Sequence, residues 1–157
     1  TSQLPMVIDA SALRLLAENP QLDDNWILTP HPGEAACLLS SSTDLIQKDR
    51  YQAATNIQKQ YGGVVVLKGA GTVIQTEKDT SVCPRGNPAM ASAGMGDILS
   101  GIIAGLCAQG YALSDAAQCG VWAHAVAGDR VAKRLGGAGL LASDLFDVLP
   151  HVLNYPE

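Results

Sequence analysis

Three short apolar runs, residues 6–9, 26–29 and 64–67, are separated by stretches of helical periodicity. That alternation constrains the fold more than any other feature of the chain. A β-branched run such as Val64-Val65-Val66-Leu67 has no polar face, so it belongs inside a sheet covered on both sides. Strands joined through helices pair in parallel, because a hairpin turn is too short to bring the chain back to the same end. The expected fold class is therefore α/β, one domain over residues 1–157, with a mainly parallel central sheet.

The connecting segments fit that frame. Ser11–Glu18 carries Leu13, Leu16 and Ala17 at helical spacing and stops at Asn19-Pro20. A helix begins near Glu34. Residues 44–61 form the clearest amphipathic pattern, with Leu45, Ile46, Ala53, Ala54, Ile57 and Tyr61 inward, and Gly62-Gly63 ends it. Residues 72–76 return as a strand, and the polar stretch 77–85 is expected to loop out. A small-residue helix follows from about Asp97 to Gln109. The pattern at 114–135 carries Ala and Gly on nearly every face and is expected to be largely buried. Ser143 is placed to cap a last helix with Leu145, Val148, Leu149, Val152 and Leu153 inward, kinked by Pro150.

Composition excludes several classes. The formal charge of −5 and the lack of a basic stripe argue against a nucleic-acid partner. Residues 98–108 are apolar but too short to span a bilayer, and no basic leader segment opens the chain. Cys37, Cys83, Cys107 and Cys119 show no C-x-x-C spacing, so a zinc site is not expected. They read as core thiols, with Cys37, Cys107 and Cys119 among small apolar residues, and point to a reducing, cytoplasmic setting.

The segment Gly86-Asn87-Pro88-Ala89-Met90-Ala91-Ser92-Ala93-Gly94-Met95-Gly96-Asp97 carries the chemistry. Glycines let the backbone approach a ligand, and the free amides of a helix start can face an anion. Asp97 in that setting reads either as a helix cap or as a base, since a carboxylate beside a phosphate loop is useful if it takes a proton from an attacking hydroxyl. Thr29-Pro30-His31-Pro32-Gly33-Glu34 follows a strand. His31 can donate to a phosphate or a ligand hydroxyl, and Glu34 can hold Mg²⁺ directly or through water. Lys68-Gly69-Ala70-Gly71-Thr72 follows the run 64–67, where a lysine can neutralise phosphate; it is no Walker A loop. Asp9 ends its strand at the same expected edge, as a cap or as support for the site. His124 on the long helix reads as a buried, satisfied histidine, and His151 as exposed.

These segments, in this order, resemble the NAD(P)H-hydrate dehydratase family of the ribokinase-like superfamily. Val7-Ile8-Asp9-Ala10, the Thr-Pro-His-Pro-Gly-Glu stretch, Lys-Gly-Ala-Gly-Thr and Asn87 through Asp97 carry the likeness. The resemblance implies a three-layer α/β/α fold whose N-terminal part is missing here. It also implies ADP (or ATP) and Mg²⁺ as cofactors and a hydrated NAD(P)H as substrate. The family phosphorylates the ring hydroxyl and eliminates phosphate. In that scheme Asp97 is the catalytic base and contacts substrate together with His31. Lys68, Gly69, Ala70, Gly71, Thr72, Gly94, Met95 and Gly96 bind nucleotide, and Glu34 helps hold Mg²⁺. A homotetramer and an upstream epimerase domain are further implied. Ser11 stands where the family usually has an acid, and Met95 where Thr is common. Two other readings share the loop: a ribokinase-like kinase for a vitamin precursor, and a noncatalytic nucleotide-binding module.

Overall fold

The computed structural model describes residues 4–154. The strands are β1 (Met6–Ile8), β2 (Trp26–Leu28), β3 (Val64–Leu67), β4 (Val73–Gln75) and β5 (Thr80–Val82). The helices are α1 (Ser11–Glu18), α2 (Pro32–Leu38), α3 (Thr43–Lys48), α4 (Arg50–Tyr61), α5 (Met95–Ala108), α6 (Leu113–Leu135) and α7 (Leu149–Asn154). Short 3-10 turns lie at Pro88–Met90 and Ala142–Leu145.

The strands form one sheet in chain order. β1, β2 and β3 are parallel; β4 and β5 return antiparallel. All four residues of β3 are buried, as an apolar run in mid-sheet requires. Its side chains alternate between two cores. Val65 and Leu67 join Leu28 and Trp26 against helices α1 to α4 through Leu13, Ile57 and Tyr61. Val64 and Val66 join Ile27 against α5 and α6 through Leu99, Ile103 and Val121. The result is the expected three-layer α/β/α arrangement. Register aligns Ile8 with Leu28 and Leu28 with Val65, so Asp9, Thr29 and Lys68 emerge along one edge.

Close packing explains the stop after α4. Gly63 sits at φ +61, and a Cβ there would lie 2.2 Å from the Trp26 carbonyl oxygen. Only glycine lets the chain leave the helix and enter β3 at that distance.

Four expectations are corrected. The polar stretch after β4 is not all loop, because β5 pairs with β4. As a half-exposed edge strand it lacks the apolar signature of the others. The pattern over 44–61 is two helices. Asp49 leaves helical geometry at φ −147 and its carboxylate caps α4 by accepting from Gln52 N at 2.9 Å. Ile46 is buried while Leu45 points outward. The last helix begins at Leu149, and Ser143 lies in the preceding 3-10 turn. Pro150 falls in the first turn of α7, where an N–H has no partner to lose, and so does not kink it. Leu153 faces out. Finally, all four cysteines are free, but only Cys83 is buried, Cys107 is half-buried, and Cys37 and Cys119 are exposed. Small apolar neighbours in sequence did not place those two inside. No described helix is long and apolar enough to cross a membrane.

Candidate functional site

The carboxyl ends of the parallel strands meet the start of α5. The Asp9 carboxylate accepts from Lys68 Nζ at 2.9 Å and from Ser100 Oγ at 2.7 Å. Thr29 Oγ1 lies 3.4 Å from the same serine hydroxyl. One acid thus ties β1, β3 and α5 together. Burial acts to raise the Asp9 pKa, but the Lys68 and Ser100 bonds, the Lys68 charge and Thr29 outweigh it and leave the carboxyl below its ordinary value. Asp9 does not cap α1. That position falls to Ala10, which makes no side-chain cap and sits at the uncommon φ of +50.

The turn after β2 is a capping box. His31 Nδ1 accepts from Gly33 N at 3.0 Å and Glu34 N at 3.2 Å, while Glu34 Oε2 accepts from His31 N at 2.8 Å. Because Nδ1 accepts, the neutral imidazole carries its proton on Nε2. Glu34 Oε2 also lies 3.7 Å from Lys68 Nζ, and Oε1 lies 3.5 Å from His31 Nε2. The carboxylate is buried and already engaged, which suits a water-bridged role toward a cation better than direct ligation. No group of three or more candidate metal ligands occurs among the described residues. A Mg²⁺ fits only as a partner of nucleotide phosphates, the mode in which that ion keeps most of its waters.

The turn Lys68-Gly69-Ala70-Gly71-Thr72 is braced from behind. Arg50, at the start of α4, donates from one guanidinium nitrogen to the Ala70 carbonyl at 2.5 Å and from the other to Leu67 O at 3.0 Å. The sequence reading missed Arg50. It lies eighteen positions upstream of Lys68, and nothing in its neighbourhood marks it as other than an exposed helix cation.

The loop from Gly86 ends on α5. Gly94 is its N-cap in left-handed geometry at φ +85, so the helix starts at Met95, two residues ahead of the expected point. Asp97 sits in the first turn, exposed, with no hydrogen bond or ion pair to any described residue. A Cβ on Gly96 would lie 3.2 Å from Lys68 Nζ, so glycine is what lets α5 approach the lysine. The Met95 side chain is buried beside Ala123 and Ala127, which leaves only its backbone to face a ligand. His124 is less satisfied than expected: its Nε2 is buried without a partner, as is Ser92 Oγ. Burial lowers the His124 pKa to about 4; the adjacent Met95 backbone works against this and Lys68 adds to it. His151 is exposed as expected.

Direct contacts therefore join Lys68, Glu34 and His31, with Asp9 added, and Gly96 packs on Lys68. Asp97 follows Gly96 on the same turn. A separate groove of about 720 Å³, bordered by Val82, Cys83, Tyr111, Trp122 and Val152, touches none of these residues.

Parallel strand ends face a glycine-capped helix with an exposed carboxylate in its first turn, and the solved structures that share this fold make it a ribokinase-like α/β protein. Solved structures agree. The ADP/ATP-dependent NAD(P)H-hydrate dehydratase from Bacillus subtilis, co-crystallized with ATP/Mg²⁺ and soaked with CoA, matches at TM-score 0.91 and 33% identity, over 100% of this chain and 58% of its own. A hydroxyethylthiazole kinase protein from Pyrococcus horikoshii shares the fold at TM-score 0.73 and 14% identity, over 98% of this chain and 61% of its own. The NAD(P)H-hydrate dehydratase family profile matches residues 1–151, and the chain belongs to that family. The bifunctional NAD(P)H-hydrate repair enzyme Nnr of Coxiella burnetii is 54% identical over 98% of this chain, which spans 32% of that relative. The ADP-dependent (S)-NAD(P)H-hydrate dehydratase of Neisseria meningitidis is 40% identical over 90% of this chain, which spans 50% of it. The chain thus covers between a third and a half of these relatives' length.

Proposed function

We propose that this chain carries the nucleotide-binding and phosphoryl-transfer portion of an ADP-dependent dehydratase that acts on the S-epimer of NAD(P)H hydrate. Hydroxide is a poor leaving group. Transfer of the terminal phosphoryl of ADP to the ring hydroxyl releases AMP and makes a phosphate ester. Loss of phosphate, with a proton from the adjacent ring carbon, restores NAD(P)H. The observation that carries this reading is Asp97, an exposed carboxylate with no partner among the described residues, directly after a Gly94-Met95-Gly96 helix start. Such an acid repels phosphate, and the role that offsets this is to take the proton of the attacking hydroxyl. The Gly94, Met95 and Gly96 amides face the transferred group. The braced turn Lys68, Gly69, Ala70, Gly71 and Thr72 holds the nucleotide. His31 donates from Nε2 to the hydrated dinucleotide. Glu34 would help hold Mg²⁺ through water, and the ion would supply neutralisation of phosphate charge there.

The names of the relatives support this assignment, and the bifunctional ones support fusion to an upstream epimerase domain. We place the protein in the cytoplasm, as a homotetramer. The test is Asp97→Asn, measured beside the unsubstituted protein for recovery of reduced nicotinamide absorbance and for ADP binding. Turnover is expected to fall by ~10²–10⁴ with ADP affinity retained. Unchanged turnover refutes the base. Phosphorylation of a vitamin-type alcohol without NADH recovery assigns the chain to a kinase activity instead.

A further inference from the structure

We propose that Asp129 is a positioning residue that holds the phosphate-facing loop in shape from helix α6. The proposal rests on the reading of that loop given above. The loop runs from Gly86, four residues after β5, to the start of α5 at Gly94, and the 3-10 turn Pro88–Met90 is its one regular piece. Its internal bonds are all short-range, from Ala89 N and Met90 N to Asn87, from Ala91 N to Pro88 O and from Met95 N to Ser92 O, and fix single turns without fixing where the loop sits. Its definition comes from α6.

Asp129 makes both entrance contacts. Its Oδ2 accepts from Gly86 N at 3.2 Å and its Oδ1 accepts from Asn87 Nδ2 at 2.8 Å. Asn87 then passes the constraint forward, because its own Oδ1 accepts from Ala89 N at 3.1 Å and caps the 3-10 turn. One turn of α6 lies flat under the middle of the loop. Met90 packs so tightly on Gly128 that a Cβ there would lie 2.3 Å from the Met90 sulfur. At the exit, the Met95 side chain is seated against Ala123 and Ala127 of the same helix. Residues 123–129 of α6, under two turns of helix, therefore meet the entrance, middle and exit of the loop. The carboxylate of Asp129 is the polar anchor of the series, and it touches neither nucleotide turn nor strand-end cluster.

The consequence is selective. Loosening the loop costs contacts to phosphate, whereas the nucleoside side of the site, formed by the turn after β3, is braced independently by Arg50. Asp129→Asn keeps the shape of the side chain but sets one amide against another at Asn87 or turns its oxygen from Gly86. Affinity for Mg-ADP is expected to fall roughly ten- to hundred-fold, the usual effect of breaking a charge-assisted bond. Affinity for adenosine is expected to stay within about two-fold, by the independence of uncoupled sites. Asn87→Ala breaks the same contact from the loop side and is expected to give the same loss, and the double variant no more than either single one. It also carries the test if Asp129→Asn does not fold. Calorimetric titration of each protein with Mg-ADP and with adenosine reads the result. Wild-type Mg-ADP affinity in both variants, or equal loss of adenosine and ADP, overturns the role. An unsubstituted protein that binds ADP no more tightly than adenosine removes the phosphate-loop reading itself, and is recognised before any variant is made.

Discussion

His124 makes the stability of this protein sensitive to mild acid. Its imidazole is buried with Nε2 unpartnered, and burial holds its pKa at about 4 against an ordinary value of 6.5. The unfolded chain gains a proton as pH falls through 6.5, but the folded chain does not until pH approaches 4. Stability from this residue is therefore complete above the unfolded pKa and is lost as pH falls between those values. At about 1.4 kcal/mol per unit, the full loss is about 3 kcal/mol, of which roughly 2 kcal/mol has gone by pH 5. Urea unfolding of the wild-type and His124→Gln proteins at pH 7.5 and pH 5 isolates the effect, because other titrating groups cancel in the comparison. The wild type is expected to lose about 2 kcal/mol more than the variant over that interval. Equal losses would mean that the imidazole titrates alike in both states, and the burial argument would fail.

Three further outcomes follow from the packing. Gly96→Ala places a methyl 3.2 Å from Lys68 Nζ, so ADP affinity is expected to drop roughly ten-fold while thermal stability holds, since alanine favours the helix by up to about 1 kcal/mol; unchanged affinity in a titration would show that the lysine moves aside freely. Gly63→Ala meets the Trp26 carbonyl at 2.2 Å and a φ of +61, and is expected to cost about 3 kcal/mol or more in urea unfolding. Omitting Mg²⁺ is expected to weaken ADP binding at least ~10-fold, because the phosphates then meet the strand-end carboxylates unscreened; equal calorimetric affinity with and without the ion would contradict this.

Much of the layer plan was legible because β3 is short, β-branched and apolar on both faces, a pattern that few environments other than a covered sheet accept. Asp97 stands out in the sequence for a related reason: an acid in a glycine-rich helix start contradicts its surroundings and asks for an explanation, and the structure leaves it exposed in the first turn of α5. What stayed hidden depends on distance along the chain. Asp9 meets Lys68 across fifty-nine positions and Ser100 across ninety-one, and no local pattern announces such pairings. Asp129 looks like any polar residue on a long helix until Gly86 and Asn87 fold onto it. β5 escaped because an edge strand needs only one apolar side, and Thr80-Ser81-Val82 offers little more than that. The split of residues 44–61 into two helices escaped because a hydrophobic period continues through a capped break, while the cap itself is a single aspartate.

The charge around Gly96 explains why backbone matters so much in this site. Asp9, Glu34 and Asp97 set three carboxylates against Lys68 and, behind the nucleotide turn, Arg50, a local charge of −1, within a chain whose net charge is −5. Lys68 is shared between two of those acids and is not a free counter-ion for phosphate. In the proposed site a nucleotide therefore approaches against the net field, and with Lys68 and Arg50 both engaged by protein groups, donors that carry no net charge take on more of the attraction. The amides at the start of α5 are such donors, but helix-dipole attraction contributes only about 0.3–1 kcal/mol per charge, so the amides must be aimed well to hold an anion. Aim in turn depends on what fixes the loop. On the proposed reading, a glycine against Lys68, a buried Met95 and an aspartate on a distant helix would bear on phosphate binding as directly as any residue that touches it, and the acid in the first turn of α5, with no cation paired to it among the described residues, would stand available as the base.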